Sequence, residues 1–109
     1  MELSFSSKDL RNTCNSKRKL KNLYPHHYRE IQTILADLDS VVCIDDLQGI
    51  YSFTVSIPEI GIVGSNVIIW AEAIPELEID TSEAIRLERV FRLKLKRIEL
   101  DGGDKDECI

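Results

Sequence analysis

Apolar and polar residues alternate most clearly in one segment near the middle of the chain, residues 51–57. A period of two is typical of a β-strand with one buried and one exposed face, so this segment is predicted to be a strand with its larger side chains in the core. Residues 67–73 are apolar on both faces until Glu72, a pattern that predicts a central strand. The apolar members of the first segment are Tyr51, Phe53, Val55 and Ile57.

Helical spacing dominates the first 40 residues, after a short strand predicted at residues 1–5. A pair of serines precedes a helix predicted over residues 8–23, because serine accepts hydrogen bonds from the first turn of a helix. The sequence Asn15-Ser16 favours a turn and therefore a break within this helix. A second helix is predicted to begin at Pro25, which suits its first position. Its apolar face consists of Tyr28, Ile31, Ile34, Leu35 and Leu38.

The second half of the chain contains three segments whose pattern is less regular. Residues 58–66, with one proline and two glycines, are predicted to be a connection, and the acidic residues 75–81 are predicted to be a loop. Residues 84–98 fit either a strand with alternating cations or an amphipathic helix that begins near a capping box. Periodicity leaves both of these alternatives open.

Length and composition predict a single folded domain with an uneven distribution of charge. The 109 residues are 43% hydrophobic and 30% charged, with a net charge of -5, as in ordinary globular domains. Residues 1–28 carry six Lys or Arg against two acids, residues 29–84 one against eleven, and residues 85–100 six against two. A local cationic surface is therefore compatible with an acidic protein, although tight nonspecific binding of nucleic acid is not expected.

No segment has the pattern of a membrane span, a secretion signal or a metal site. The longest uncharged run falls short of the roughly 20 apolar residues of a membrane helix, and the first residues lack the regions of a signal peptide. We therefore expect a cytoplasmic protein that does not associate with membranes. Cys14, Cys43 and Cys108 form no CxxC pair and fit free thiols. No metal or other cofactor is expected, since the adjacent His26 and His27 would diverge by about 100° on a helix.

Several segments together are similar to one group of proteins. Leu3 to Arg11, followed by Cys14, is similar to an opening strand that runs into a helix with leucine and arginine. Ile50 to Val55 is similar to a strand with an aromatic residue, a serine and alternating apolar residues, and Asn66 to Glu72 to a strand that ends in glutamate. The remaining matching segments are a second helix with Tyr24, Ile31, Leu35 and Leu38 that is followed by Asp46-Leu47, a proline-containing loop from Pro75-Glu76-Leu77 to Asp80-Thr81-Ser82, and the last strand from Val90 to Asp101. This arrangement resembles the RelE/ParE toxin superfamily, and more closely its HigB-like branch of plasmid-maintenance killer proteins.

The resemblance implies a RelE-like α+β fold, in which an N-terminal strand and two helices pack on a small antiparallel sheet. It implies one domain over residues 1–100, followed by a polar tail at 101–109, and it makes residues 87–100 a strand. Typical members of the family are ribosome-dependent mRNA endoribonucleases that use no metal and are held inactive by a cognate antitoxin protein. Other branches inhibit DNA gyrase.

Three positions that carry functional side chains in this family are occupied differently here. The basic segment before the alternating strand is shortened to Gln48-Gly49, an expected arginine falls at Val67, and the terminal tyrosine and histidine fall on Gly102 and Gly103. Whether the chain is an enzyme therefore stays open at this stage. The leading hypothesis is a HigB/RelE-like toxin. The alternatives are a noncatalytic module of the same fold that binds an antitoxin or a gyrase-like target, and an acidic regulatory domain unrelated to toxins.

Two groups of cations are the candidate binding residues. On a strand, Arg92, Lys94 and Lys96 would lie about 6.6 Å apart on one face, close to the spacing of phosphates along a nucleic-acid strand. With Arg89 they are predicted RNA contacts; the alternative is an exposed sheet face whose cations pair with acids of residues 72–83. The second group would dock rRNA or an acidic partner, or would simply form an exposed helix bend. It consists of Lys17, Arg18, Lys19 and Lys21.

The remaining side chains that could take part in catalysis or binding are predicted to have structural roles. His26 and His27 lie at a predicted helix start, where the positive end of the helix dipole favours neutral imidazole, and no catalytic role is predicted for them. Tyr51 and Trp70 are predicted to pack in the core instead of stacking on bases. Cys14 is predicted to be a buried, unreactive thiol.

Overall fold

The computed structural model describes residues 1–74 and 87–100. This part of the chain contains five strands, three α-helices and two short 3-10 helices, so the predicted α+β class is confirmed. The strands are β1 (Glu2–Phe5), β2 (Ser52–Ser56), β3 (Glu59–Val63), β4 (Val67–Ala73) and β5 (Arg92–Leu100). The helices are α1 (Lys8–Cys14), α2 (Lys17–Leu23) and α3 (Tyr28–Ser40), and the 3-10 helices are Ile44–Leu47 and Leu87–Arg89.

The five strands form one mixed sheet in the order β1-β5-β4-β3-β2. β1 runs parallel to β5, and all other neighbouring strands are antiparallel. The prediction of a wholly antiparallel sheet with three strands after the helices is therefore wrong. Short turns join β2 to β3 and β3 to β4, as antiparallel pairing requires, whereas the helices carry the chain from β1 at one edge to β2 at the other.

The predicted break in the first helical region is confirmed. α1 ends at Cys14 and α2 begins at Lys17, because the Ser16 hydroxyl accepts a hydrogen bond from the amide of Lys19 at 3.2 Å and starts a new helix. The described chain therefore has three α-helices where the sequence predicts two. The prediction that the next helix begins at Pro25 is wrong: residues 25–27 form a turn, and α3 begins at Tyr28. The amide of Tyr28 closes that turn by donating to the carbonyl of Tyr24 at 2.8 Å.

The prediction of a connection over residues 58–66 is also wrong, because β3 occupies most of it. Ile60 and Ile62 are completely buried on this strand. Gly61 lies between them for a steric reason: a Cβ atom there would lie 2.8 Å from Cγ2 of Thr54 and 3.2 Å from Cζ3 of Trp70. Gly61 therefore permits close packing across the sheet and does not mark a turn.

The insertion of β3 places β2 at the edge of the sheet, where its predicted core face is only partly covered. Phe53 packs against the core with partial exposure, but Val55 is 39% exposed and Ile57, beyond the strand end, is 64% exposed. The alternating pattern at residues 51–57 thus predicted the strand correctly and its burial incorrectly. An alternating pattern specifies which side chains share a face, whereas burial depends on what lies over that face.

The hydrophobic core lies between α3 and one face of the sheet. Ile31, Ile34 and Leu38 of α3 are completely buried, as the helical spacing predicts. Leu20 anchors α2 to the same core with none of its surface exposed. The sheet contributes buried side chains from its three inner strands. These are Ile60, Ile62, Val67, Ile69, Ala71, Ala73, Leu93 and Leu95. We call the opposite side of the sheet the outer face; no described helix covers it.

β5 confirms that residues 92–100 are a strand, and β4 confirms the predicted central strand. The N-terminal part of the last predicted strand is wrong, since residues 87–89 form a 3-10 helix. The loop predicted at residues 75–81, residues 84–86 and the tail at 101–109 lie outside the described residues. Among the described helices, none is long and apolar enough to cross a membrane.

Candidate functional site

The cations predicted on the last strand do lie on one face of β5, the outer face. Arg92 and Lys94 alternate there with buried Leu93 and Leu95. A β-bulge opposite Trp70 then adds one residue to β5, so that Lys96 and the next residue both contact outer-face partners. That next residue, Arg97, was not among the predicted contacts. A bulge depends on pairing between strands, so the sequence carries no local signal for it.

Three of these four cations are ion-paired with carboxylates from three other strands of the sheet. Nε of Arg92 lies 2.8 Å from Oε1 of Glu2 on β1. Nζ of Lys96 lies 3.2 Å from Oε2 of Glu72 on β4, and Nη1 of Arg97 lies 2.6 Å from Oε1 of Glu59 on β3. Exposed ion pairs add little stability, but they offset the positive charge that a phosphate chain would need. The alternative of a sheet face neutralised by acids is therefore the better description of this surface.

Trp70 is buried on the outer face and not in the core beneath α3. Its neighbours Ile69 and Ala71 belong to that core, so the indole points to the opposite side. The guanidinium of Arg97 lies 4.8 Å from the ring centroid, and the indole Nε1–H donates a 2.6 Å hydrogen bond to Oε1 of Glu99. The ring is only 9% exposed. It is therefore covered by a cation–π contact and has no open face on which a base could stack.

Arg89, the fourth predicted RNA contact, does not belong to the strand. It ends the 3-10 helix Leu87–Arg89 before β5, and its side chain is exposed. It therefore does not continue the regular spacing of Arg92, Lys94 and Lys96. Of the three, Lys94 makes no ion pair with the described residues.

The second predicted group of cations lies on α2 and, unlike most cations of β5, forms a surface without ion pairs to described residues. Lys17, Arg18, Lys19 and Lys21 are all exposed, because buried Leu20 fixes the orientation of this short helix. Arg29 on α3 extends the group. None of these five cations lies within ion-pair distance of a carboxylate in the described part of the chain. We call these five residues the α2–α3 cationic surface.

Tyr28 lies beneath this surface. Nζ of Lys21 lies 5.7 Å from the ring centroid, and Cζ of Arg29 lies 5.8 Å from it. Nε of Arg29 also donates a hydrogen bond of 3.3 Å to the hydroxyl oxygen. This hydrogen bond, and the charges of Arg29, Lys21 and Lys17, hold the pKa of Tyr28 below its ordinary value, although burial acts in the opposite direction. The lowered pKa of Tyr28 thus reflects the positive charge concentrated around its ring.

The two histidines lie in the turn before α3, in the helical layer. His26 is exposed, whereas His27 is 8% exposed and its imidazole makes no hydrogen bond with the described residues. Neither histidine belongs to the outer face that carries the cations of β5. In the described ranges, 1–74 and 87–100, no three potential metal ligands come together. In the described part of the chain, the histidines are therefore not placed to act as a general acid or base beside the cations of β5.

Two cavities in the described part of the chain contain ionisable groups, but neither is lined by a histidine. One open cavity of about 740 Å³ lies between α3 and the turn after β3. Its acid, Glu30, accepts hydrogen bonds from the backbone amide and side chain of Asn66 at 2.9 and 3.4 Å. Beside it, the hydroxyl of Tyr51 donates to Oδ2 of Asp37 at 2.6 Å, and burial together with that bond raises the pKa of Tyr51. Both ionisable groups therefore hold the fold together, which fits the structural role predicted for Tyr51.

Cys14 lies beside a second cavity of similar size, between β1, α1 and α3. Burial raises the pKa of the Cys14 thiol from 9.0 to about 11. Cys14 is only partly buried, so the prediction that it is buried is not met in full. Because the thiolate is the reactive species, the raised pKa supports the prediction of an unreactive thiol.

We expect Cys14 to be alkylated by iodoacetamide at pH 8 about a hundredfold more slowly in the folded protein than in urea, since its thiolate fraction falls by that factor when the pKa rises from 9.0 to about 11. Mass spectrometry of peptides after timed quenching gives the rate for this residue alone. The rates in folded and unfolded protein should converge above pH 11. Equal rates at pH 8 would show that the thiol is solvated.

No family model, no curated protein sequence and no solved structure matches this chain.

Proposed function

We propose that this chain is a divergent HigB/RelE-like toxin protein that acts by binding an acidic partner protein, its cognate antitoxin, and that does not cleave mRNA. The observation that carries the proposal is the α2–α3 cationic surface. Its five cations have no carboxylate partner among the described residues of a protein whose net charge is -5. Such a surface attracts a polyanion and steers its approach. In the cytoplasm, where we expect this chain to act, an acidic protein segment fits that requirement.

The two cationic surfaces differ in a way that favours a protein partner over RNA. The cations of β5 are mostly paired with acids of the same sheet, and Trp70 is covered by Arg97. Sequence-tolerant binding of single-stranded RNA normally combines cations with exposed aromatic rings. On the α2–α3 cationic surface, the ring of Tyr28 is buried. Charge without a stacking platform is better suited to carboxylates than to bases.

The arrangement of possible acids and bases supports a role without RNA cleavage. In-line attack by a 2′-hydroxyl requires a proton acceptor, a proton donor and cations close to one phosphate. The histidines lie in the helical layer, and three of the four cations on β5 are already paired with Glu2, Glu59 and Glu72. Loss of an acid–base pair typically lowers a rate by two or more decades.

We expect the double variant Lys17→Gln/Lys21→Gln to bind a fluorescein-labelled oligo-glutamate peptide about tenfold more weakly than the wild type, because two cations facing the peptide are neutralised. Fluorescence anisotropy at low ionic strength measures the affinity. The matched control is Lys94→Gln/Lys96→Gln, which removes the same charge from β5 and should leave the affinity within about twofold. Circular dichroism checks that both variants are folded.

Two outcomes would contradict the proposal. A labelled oligouridylate bound more tightly than oligo-glutamate, with its affinity lost in the β5 variant, would assign the function to RNA and to the outer face. Expression of the wild-type chain in bacteria, followed by cleavage of mRNA on translating ribosomes, would show that it is an endoribonuclease. Binding of the acidic peptide that is lost only in the α2 variant, with intact mRNA in expressing cells, supports the proposal.

A further inference from the structure

The edge strand β2 is the least protected part of the sheet. It pairs with β3 on one side and with no described strand on the other, so alternate residues direct N–H and C=O groups away from the sheet. Proteins usually protect such an edge with charged side chains, a proline or a bulge. Residues 47–58 contain no charged side chain, although 30% of all residues in the chain are charged. No proline and no bulge interrupts Ser52–Ser56.

The opposite edge of the sheet is protected in the expected way. β1 is one residue shorter than β2, and its Glu2 carries a charge that is paired with Arg92 of the neighbouring strand. The ammonium group of Met1 donates to the backbone carbonyls of Asp39 and Val41, next to the end of α3, which ties the start of β1 to the helical layer. The absence of protection is thus specific to β2.

Apolar side chains are exposed beside this unprotected edge. Val55 is 39% exposed, and Ile50 and Ile57, which flank β2, are 65% and 64% exposed. These side chains would be covered by any strand added next to β2. Because the segment is neutral and partly apolar, the added strand should be neutral and partly apolar as well.

We propose that β2 is a homodimer interface, at which the β2 strands of two copies of this chain pair antiparallel about a two-fold axis at Thr54. The sequence of the strand is self-complementary in that register. Ser52 of one copy lies opposite Ser56 of the other, and Phe53 lies opposite Val55. In this register, each residue whose N–H and C=O groups point away from its own sheet lies opposite a residue of the other copy with the same orientation. The outward backbone groups of the two copies therefore face each other. The result is a continuous sheet of ten strands.

The side chains of the two copies also match across this register. Phe53 and Val55 lie on the helical side of the sheet, so the two Phe53–Val55 contacts would cover the exposed part of Val55. Ser52, Thr54 and Ser56 meet on the outer face. No like charges come together at the axis, despite the net charge of -5 on each copy. A ladder of five residues is a small interface, so the dimer should be weak and dependent on concentration.

Sedimentation velocity from about 5 to about 500 µM tests the association of the full chain. We expect the apparent mass to rise from the 12.5 kDa of one chain towards twice that value. Thr54→Lys places two like charges opposite each other at the axis and should weaken association at least about tenfold. The matched control, Ser4→Lys, introduces the same charge on the outer face at the β1 edge and should leave association unchanged.

A charge exchange tests the register itself. Thr54→Lys and Thr54→Glu should each be monomeric, and an equimolar mixture should form a one-to-one dimer, because opposite charges then meet at the axis. Urea titration monitored through Trp70 fluorescence verifies that both variants are folded. Wild-type protein that is monomeric at every concentration, or a dimer that is lost in Ser4→Lys and retained in Thr54→Lys, would overturn the proposal. A mixture that stays monomeric would overturn the register.

Discussion

Replacement of Ile60 by alanine is expected to lower the free energy of unfolding by about 3–4 kcal/mol. Ile60 lies on β3 with none of its surface exposed, and it contacts the buried residues between the sheet and α3. The change removes three buried carbon atoms and leaves a cavity that rigid neighbours on β2 and β4 cannot fill. Urea denaturation followed by circular dichroism measures the effect.

Ile57 provides a matched control for this result, because it is the same residue type three positions earlier and 64% exposed. Ile57→Ala should lower the free energy of unfolding by under about 0.5 kcal/mol. The alternating pattern of the sequence predicts the opposite order, with Ile57 in the core and residues 58–66 in a connection. Similar losses in the two variants would show that β3 is not an inner strand.

Replacement of Gly61 by alanine is expected to destabilise the protein by about 1–3 kcal/mol through crowding. The new methyl group would lie 2.8 Å from Cγ2 of Thr54 and 3.0 Å from Cγ2 of Ile68. Both neighbours are β-branched and have few alternative rotamers. The strand therefore has to shift, and this cost outweighs the smaller gain in backbone entropy that alanine normally brings. Thermal or urea unfolding of dilute protein measures the net effect.

A double-mutant cycle identifies the cause of that loss. Thr54→Ala removes the closest neighbour and should be nearly neutral by itself, since Thr54 is exposed at the sheet edge. In the double variant Thr54→Ala/Gly61→Ala, about 1 kcal/mol of the loss should return. Strict additivity of the two substitutions would mean that the glycine is required for another reason.

Periodic patterns predicted those elements whose local sequence and tertiary environment agree. The apolar spacing from Tyr28 to Leu38 matches a helix with one buried side, and that side does face the sheet. Residues 67–73 are apolar on both faces and form an inner strand. The segment at residues 58–66 was misjudged because glycine and proline usually mark turns, whereas Gly61 provides space for Trp70 and Thr54 on adjacent strands. That requirement arises only after the strands have paired.

The candidate site shows the same division between local and tertiary information. The strand alternation at Arg92, Lys94 and Lys96 is local, and their position on one face was predicted correctly. Arg92 and Lys96 pair with acids of β1 and β4, and the unpredicted Arg97 pairs with Glu59 of β3. Of these acids, only Glu72 belonged to the range from which partners were expected. Their proximity depends on strand order and on the β-bulge at Trp70. Neither is encoded in a short stretch of sequence.

The position of β5 between β1 and β4 has a consequence for the order in which the molecule folds. β2, β3 and β4 can pair through short connections, but β1 has no strand partner until β5 is present, about 90 residues later in the chain. Contacts over such a separation have a high cost in loop entropy and are associated with slow folding. During synthesis β1 therefore cannot pair within the sheet until β5 has been made. Until then, β1 and the edge of β4 that pairs with β5 both lack a strand partner.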